Sequence, residues 1–291
     1  MIHLLKTFSI LGFSAILISC SGDDKTKSID SSIVSTEKIY ATIQVISDES
    51  NAIYVEAQLT KNLSPQEGSG DEFFVKLVGD DELWLSRGTV GFHELSLDDN
   101  LFSEAIREAN NHVRLRSFNT EQYGFFFLFI FGVFNEIGTW YSATLPSTDA
   151  VDNEPTFTVM LSREDGDSLT KSSITLAEPF DLLIAGDDTP FNRSTDSVEL
   201  IWDAVQSQFR VEISALTTCT DGSFSEYSFS YTNDPGAHII PAGDLDSPVF
   251  SGECSTTVTV NKISTGQLSS KFTGGIINGQ QARKSVIRSN P

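Results

Sequence analysis

The sequence predicts an all-β protein of two β-sandwich-like domains, and three observations carry the prediction. Apolar and polar residues alternate with period two in run after run, Gly, Asp, Asn and Ser cluster between the runs, and only one stretch after the N-terminal segment has helical spacing. The 291 residues carry 40 acidic and 19 basic side chains, a net charge of −21.

The first twenty residues stand apart. His3 and Lys6 precede an apolar run from Phe8 to Ile18, closed by Ser19 and Cys20. A basic start, a short apolar core and a small-residue cleavage zone make a secretory signal over residues 1–19. The core is too short to span a bilayer as a helix, which takes about 20 apolar residues. Leu17-Ile-Ser-Cys20 resembles a bacterial lipobox. The resemblance implies that Cys20 is multiply acylated and becomes the first mature residue, and two or more chains anchor a protein stably. A retention signal for the inner membrane would place aspartate where Ser21 stands, so the same analogy points to the outer membrane, with the leaflet open. Residues 20–35 are polar and without periodicity, and read as a lipidated flexible tether.

About 255 residues follow, enough for one large or two ordinary domains. Residues 40–46 and 52–59 alternate around a turn-rich Ser47-Asp-Glu-Ser-Asn51 and predict a hairpin. Residues 73–78 and 82–86 flank Gly79-Asp-Asp81 and predict a second. Residues 101–109 have helical spacing after the capping groups of Asp98-Asp99-Asn100. The run 125–131, five Phe with Leu128 and Ile130, is too short for a membrane helix and reads as a central strand apolar on both faces, with an interaction or aggregation segment as the alternative. Residues 138–145 and 156–161 continue the strand rhythm and close an irregular β-rich domain over 36–176.

A boundary falls near Ala177-Glu-Pro179. Beyond it lie seven short strand-like runs in about 115 residues, which describes a β-sandwich over 177–291. Val198, Leu200 and Trp202 share one face of their run, which makes Trp202 a core anchor. The stretch from Glu178-Pro-Phe-Asp-Leu-Leu-Ile184 through Ser197-Val-Glu-Leu-Ile-Trp202 resembles the opening of an immunoglobulin- or fibronectin type III-like module of bacterial envelope lipoproteins. Thr156-Phe-Thr-Val-Met-Leu-Ser-Arg163, leading into Ser173-Ile-Thr-Leu-Ala177, is similar to the region preceding such a module. The resemblance implies an Ig-like second domain and an envelope address, and brings no catalytic residues.

Removing the signal takes Lys6 and leaves 18 basic against 40 acidic side chains, a charge of −22. Such a surface repels nucleic acid, which is read through basic patches. Cys219 and Cys254 remain; in an oxidising compartment they read as one disulfide closing a loop of about 36 residues, worth roughly 3–4 kcal/mol. A paired metal site is the alternative, but no His lies within ligand spacing of either.

No Gly-x-Ser-x-Gly, His-Glu-x-x-His or phosphate-loop motif occurs. His93, His112 and His238 are far apart and read as surface or strand-end residues. Four acidic loops, at Gly79–Glu82, Glu164–Asp167, Gly186–Asp188 and Gly243–Asp246, read as solvated turns, with Glu164-Asp-Gly-Asp167 the first choice for calcium. Trp84, Trp140 and Tyr141 are candidates for a glycan-binding face, against a core role. The sequence thus reads as a non-enzymatic, lipid-anchored envelope protein for display, adhesion or binding of a protein or glycan ligand, with no cofactor and no metal. A hydrolytic or carbohydrate-active enzyme using paired carboxylates is the alternative.

Overall fold

Strand alternation assigns each run to a face, and packing of those faces builds two sandwiches joined through one sheet. The computed structural model describes residues 28–48, 52–62, 72–88, 112–119, 139–145, 155–164, 170–185, 189–204, 209–250 and 252–290. The signal segment with Cys20, the helical stretch 101–109 and the Phe-rich 125–131 lie outside them.

The first ten strands are β1 (Ser28–Asp30), β2 (Tyr40–Ser47), β3 (Ile53–Asn62), β4 (Glu72–Lys76), β5 (Glu82–Arg87), β6 (His112–Arg114), β7 (Arg116–Asn119), β8 (Thr139–Leu145), β9 (Thr156–Ser162) and β10 (Thr170–Thr175). The rest are β11 (Leu182–Ile184), β12 (Phe191–Asn192), β13 (Val198–Trp202), β14 (Arg210–Cys219), β15 (Phe224–Tyr231), β16 (Ala237–Ile240), β17 (Cys254–Thr265) and β18 (Gly274–Asn290). They form an eleven-stranded sheet along β1-β4-β3-β2-β18-β17-β14-β15, with β7, β8 and β12 attached, a four-stranded sheet β10-β9-β5-β6, and a three-stranded sheet β11-β13-β16.

In the first sandwich, Ala41, Ile43 and Val45 of β2 and Val55, Ala57 and Leu59 of β3 pack against Leu83 and Leu85 of β5 and Phe157, Val159 and Leu161 of β9. β2 and β3 form the expected antiparallel hairpin. The second expected hairpin does not form. β4 pairs with β3 and β1, whereas β5 pairs with β9 and β6 in the facing sheet. The intervening turn crosses the sandwich because Asp81 is held inside it. Its carboxylate lies 3.2 Å from Arg163 and accepts a hydrogen bond from the Glu164 amide.

The tether ends earlier than the sequence suggests. β1 pairs in parallel with β4, Ser31 and Val34 are buried, and Arg163 donates to the carbonyls of both. Residues 28–35 therefore belong to the first sandwich, because the Arg163 guanidinium supplies donors that their carbonyls need away from water.

The second sandwich has three strands over four: β11-β13-β16 faces β15-β14-β17-β18. Its core joins Val198, Leu200 and Trp202 to Val211, Ile213, Val258, Val260 and Ile287. Seven strands in two antiparallel layers, three over four, make it Ig-like. The Cys219–Cys254 disulfide joins directly opposed residues of β14 and β17. It thus staples two neighbours within one sheet, whereas antibody domains bridge the two sheets.

β18 belongs to both sandwiches. Its residues 274–281 pair in parallel with β2, and its whole length from 278 to 289 pairs with β17. Ile277 and the preceding Phe272 pack in the first core, although they lie in the segment 177–291 read as the second domain. On the shared inner face the character changes along the strand. Val258, Val260 and Ile287 give way to buried Lys262 and Gln281, then to Ser264 and Gly279, then to Ile277. A polar seam thus separates two apolar cores on one continuous sheet. Glycine is required where the sheet is tightest: a Cβ on Gly275, at φ 122°, would stand 2.0 Å from the Ala41 carbonyl oxygen.

Candidate interaction site

The buried ionic groups hold the scaffold together. At the seam, the Lys262 ammonium is fully buried, 3.0 Å from the equally buried Asp234 carboxylate. It donates to the Asp203 carbonyl and sits 4.4 Å from the Phe180 ring centre. Desolvation lowers its pKa, and the hydrogen bond and charge of Asp234 oppose that shift. Asp234 also accepts from the Trp202 indole N–H at 2.7 Å and the Gly236 amide. Arg283 donates from Nε to the Phe180 carbonyl and from Nη1 to the Asp48 carbonyl, tying the second sandwich to the β2–β3 turn of the first. Near the disulfide, buried Arg193 donates to Ser289 and Gly252 and pairs with Asp246. All these are packing devices.

The residues singled out for chemistry fare differently. Trp140 and Tyr141 are core residues, each 2% exposed. The Tyr141 hydroxyl accepts from the Leu77 amide and donates to the Val75 carbonyl, and burial pushes its pKa up to about 12. Neither can offer a ring to a glycan. Trp84 is half-buried in the facing sheet, its indole N–H on Glu82. Of the acidic loops, Asp81 is engaged by Arg163, Glu82 by Arg114 and Asp246 by Arg193. Asp165 to Asp167 and Gly186 to Asp188 lie outside the described residues, as does His93. Among the described residues, no three His, Cys, Asp or Glu side chains come together as a metal site would require. His112 lies in β6 opposite Ser86.

His238 is no surface residue. It is 7% exposed on β16, and both ring nitrogens lie 2.8 Å from tyrosine hydroxyls, Nε2 from Tyr227 and Nδ1 from Tyr231. Phe229 stacks on the ring at 4.9 Å. Tyr227, Phe229 and Tyr231 alternate along β15, so all three face β16 across the open flank of the sandwich. That alternation was the signal in the sequence; its meaning depended on which strand lay opposite. Burial holds the His238 pKa below 6.5. The unfolded chain therefore binds this proton first on acidification, so the stability linked to neutral His238 is full above about pH 6.5 and lost as pH falls through the folded value. Thermal melts from about pH 8 to 5 will show that loss as a falling Tm, and His238→Gln will flatten it.

The outward faces of the second sandwich contrast sharply. On the four-stranded side, cross-strand rows bring Ser214, Thr218, Ser228, Ser255, Thr257 and Thr259 to the surface, with Leu216 and Val286 interspersed. On the three-stranded side, Leu183 lies opposite Ile201, and Ile201 opposite Ala237. Ile239 follows on β16. Leu183, Ile201 and Ile239 are 64%, 40% and 57% exposed. Exposed carboxylates border these side chains: Glu199 lies directly opposite Ile239, and Asp181 and Asp203 flank one end of the β11–β13 pair. Apolar side chains grouped on one face with a polar rim mark an interaction surface, whereas scattered single ones need no explanation.

No protein-family model matches the chain, and no curated protein matches it. Among solved structures it is similar to the FN1–FN3 domains of chicken CNTN1, at 9% identity over 91% of this chain and 68% of that one, with a TM-score of 0.27. It is also similar to a tetra-tandem repeat in the extending region of a large adhesion protein, at 11% identity over 86% and 67%, with a TM-score of 0.21. No helix among the described residues is long and apolar enough to cross a membrane. The strand order identifies the chain's second half as an Ig-like sandwich of three strands over four.

Proposed function

We propose that the chain is a non-enzymatic binding module of the bacterial cell envelope, tethered through acylated Cys20 to the outer membrane and engaging a protein partner through the three-stranded face of its second sandwich. The observation that carries this reading is the exposed apolar patch of Leu183, Ile201 and Ile239 within its carboxylate rim. Water-exposed aliphatic side chains on a rigid sheet gain free energy when covered, and the rim selects a partner whose own apolar surface is flanked by Lys or Arg. The rim disfavours anionic lipid and nucleic acid.

Two measurements test it. Protease shaving of intact cells, with lysed cells as control, will remove both sandwiches if they are displayed outside, and Cys20→Ser will release the protein from the membrane. Protection until lysis, or membrane retention of the variant, overturns display or anchoring respectively. For the face itself, the full chain will bind a peptide of alternating Leu and Lys but not one of alternating Leu and Glu, more weakly as salt rises. Leu183→Ser/Ile239→Ser will lose that binding; equal binding by the variant overturns the assignment.

A further inference from the structure

The edges of these sheets are treated unequally. β1, β6 and β11 have three residues each, and β7 and β16 have four. β10 has six, and its outer side is bridged by Gln267, whose amide and carbonyl exchange hydrogen bonds with Ser173. Short or covered edges are how sheets avoid unwanted pairing. β15 is the exception, with eight residues, no Pro, no Lys, a single charge at Glu226, and no strand on its outer side among the described residues.

The ladder to β14 fixes which backbone groups are free. The Cys219 amide bonds to the Ser223 carbonyl, so odd-numbered residues of β15 direct their backbone groups to β14. Phe224, Glu226, Ser228 and Ser230 therefore direct their N–H and C=O groups outward, and no described residue bonds to them. Their side chains lie on the outer face, with Phe224 63% exposed.

We infer that β15 pairs antiparallel with β15 of a second copy of this chain, about a twofold axis at Tyr227. This register satisfies every outward group, matching Phe224 with the partner's Ser230 and Glu226 with the partner's Ser228. The charge pattern is self-complementary: each carboxylate faces a hydroxyl able to donate to it, and no carboxylate lies directly opposite another. The two eight-residue edges join two sheets into one continuous sheet and remove both open edges. This contact is separate from the acid-rimmed face, which lies on the other layer, and it does not require Cys20.

Sedimentation equilibrium of the full chain in density-matched detergent tests the inference. The wild type will reach the dimer mass with rising concentration, more readily at high salt, because the net charge of −21 opposes association. Ser228→Pro removes an outward N–H and leaves the ladder to β14 intact, so the monomer will keep its melting temperature and the dimer will be lost. Should that variant fail to fold, charges placed on the outer face read the same register. Phe224→Lys/Ser230→Lys will weaken the dimer, and Phe224→Lys/Ser230→Glu will tighten it, by about twofold to thirtyfold for two symmetric pairs. A wild type that stays monomeric up to its solubility limit, a dimer indifferent to Ser228→Pro, or one that responds alike to both charge pairs overturns the proposal.

Discussion

Asp234→Ala will lower the unfolding free energy by about 3–5 kcal/mol, because it strands a buried ammonium without its counter-charge. The Lys262 and Asp234 side chains are both 0% exposed, so water cannot replace the lost partner. The same substitution frees the Trp202 indole N–H and the Gly236 amide, adding unpaired donors beside the second core. The pair as a unit is a different matter. Removing both charges together with Lys262→Met/Asp234→Asn will restore most of the loss, since desolvation offsets much of the attraction and Asn keeps an acceptor for Trp202. Urea unfolding of the three proteins checks this; equal losses for single and double variants would show that packing at the seam, not charge, dominates.

Cys219→Ser/Cys254→Ser will cost about 3–4 kcal/mol on the chain-entropy account of a crosslink spanning 35 positions. The bridged residues are already directly opposed in a ladder, so the native sheet can keep its register without the bond. The effect belongs mainly to the unfolded chain, which regains freedom. Urea midpoints should fall in the double variant and, by the same amount, in wild type under reductant. A larger fall with reductant than with substitution would point to chemistry elsewhere.

What the sequence made legible was local. Period-two alternation located β2, β3, β8, β9 and β13 closely, and the seven runs after Ala177 correspond to strands. Extent was less visible: β18 begins at Gly274 and runs seventeen residues, through a Gly-, Asn- and Gln-rich stretch that lacks any strand-like pattern. Those residues extend because β2 and β17 hold them on both sides, and Gly279 is small because a Cβ there would meet Leu176 at 2.5 Å. Partner choice was invisible. β4 and β5 looked like a hairpin because a Gly-Asp turn separates them, yet whether such a turn reverses a strand or carries it across depends on Arg163, eighty-two positions beyond Asp81. Tyr227, Phe229 and Tyr231 were legible as alternating aromatics, but not as the setting of His238, since that required knowing that β15 and β16 belong to facing sheets.

The sharing of β18 makes the order of chain delivery matter. Chains emerge from the ribosome N-terminus first, and domains fold as their residues become available. Here β2 lacks its parallel neighbour until residue 274 is out, more than two hundred residues later. Until then the first sandwich holds a long, β-branched strand with an unsatisfied side, the kind of edge that recruits stray chains. A protein built this way depends on being kept apart from its siblings during synthesis, and a truncation that reaches residues 274–281 will strip β2, near the other end of the chain, of its parallel neighbour.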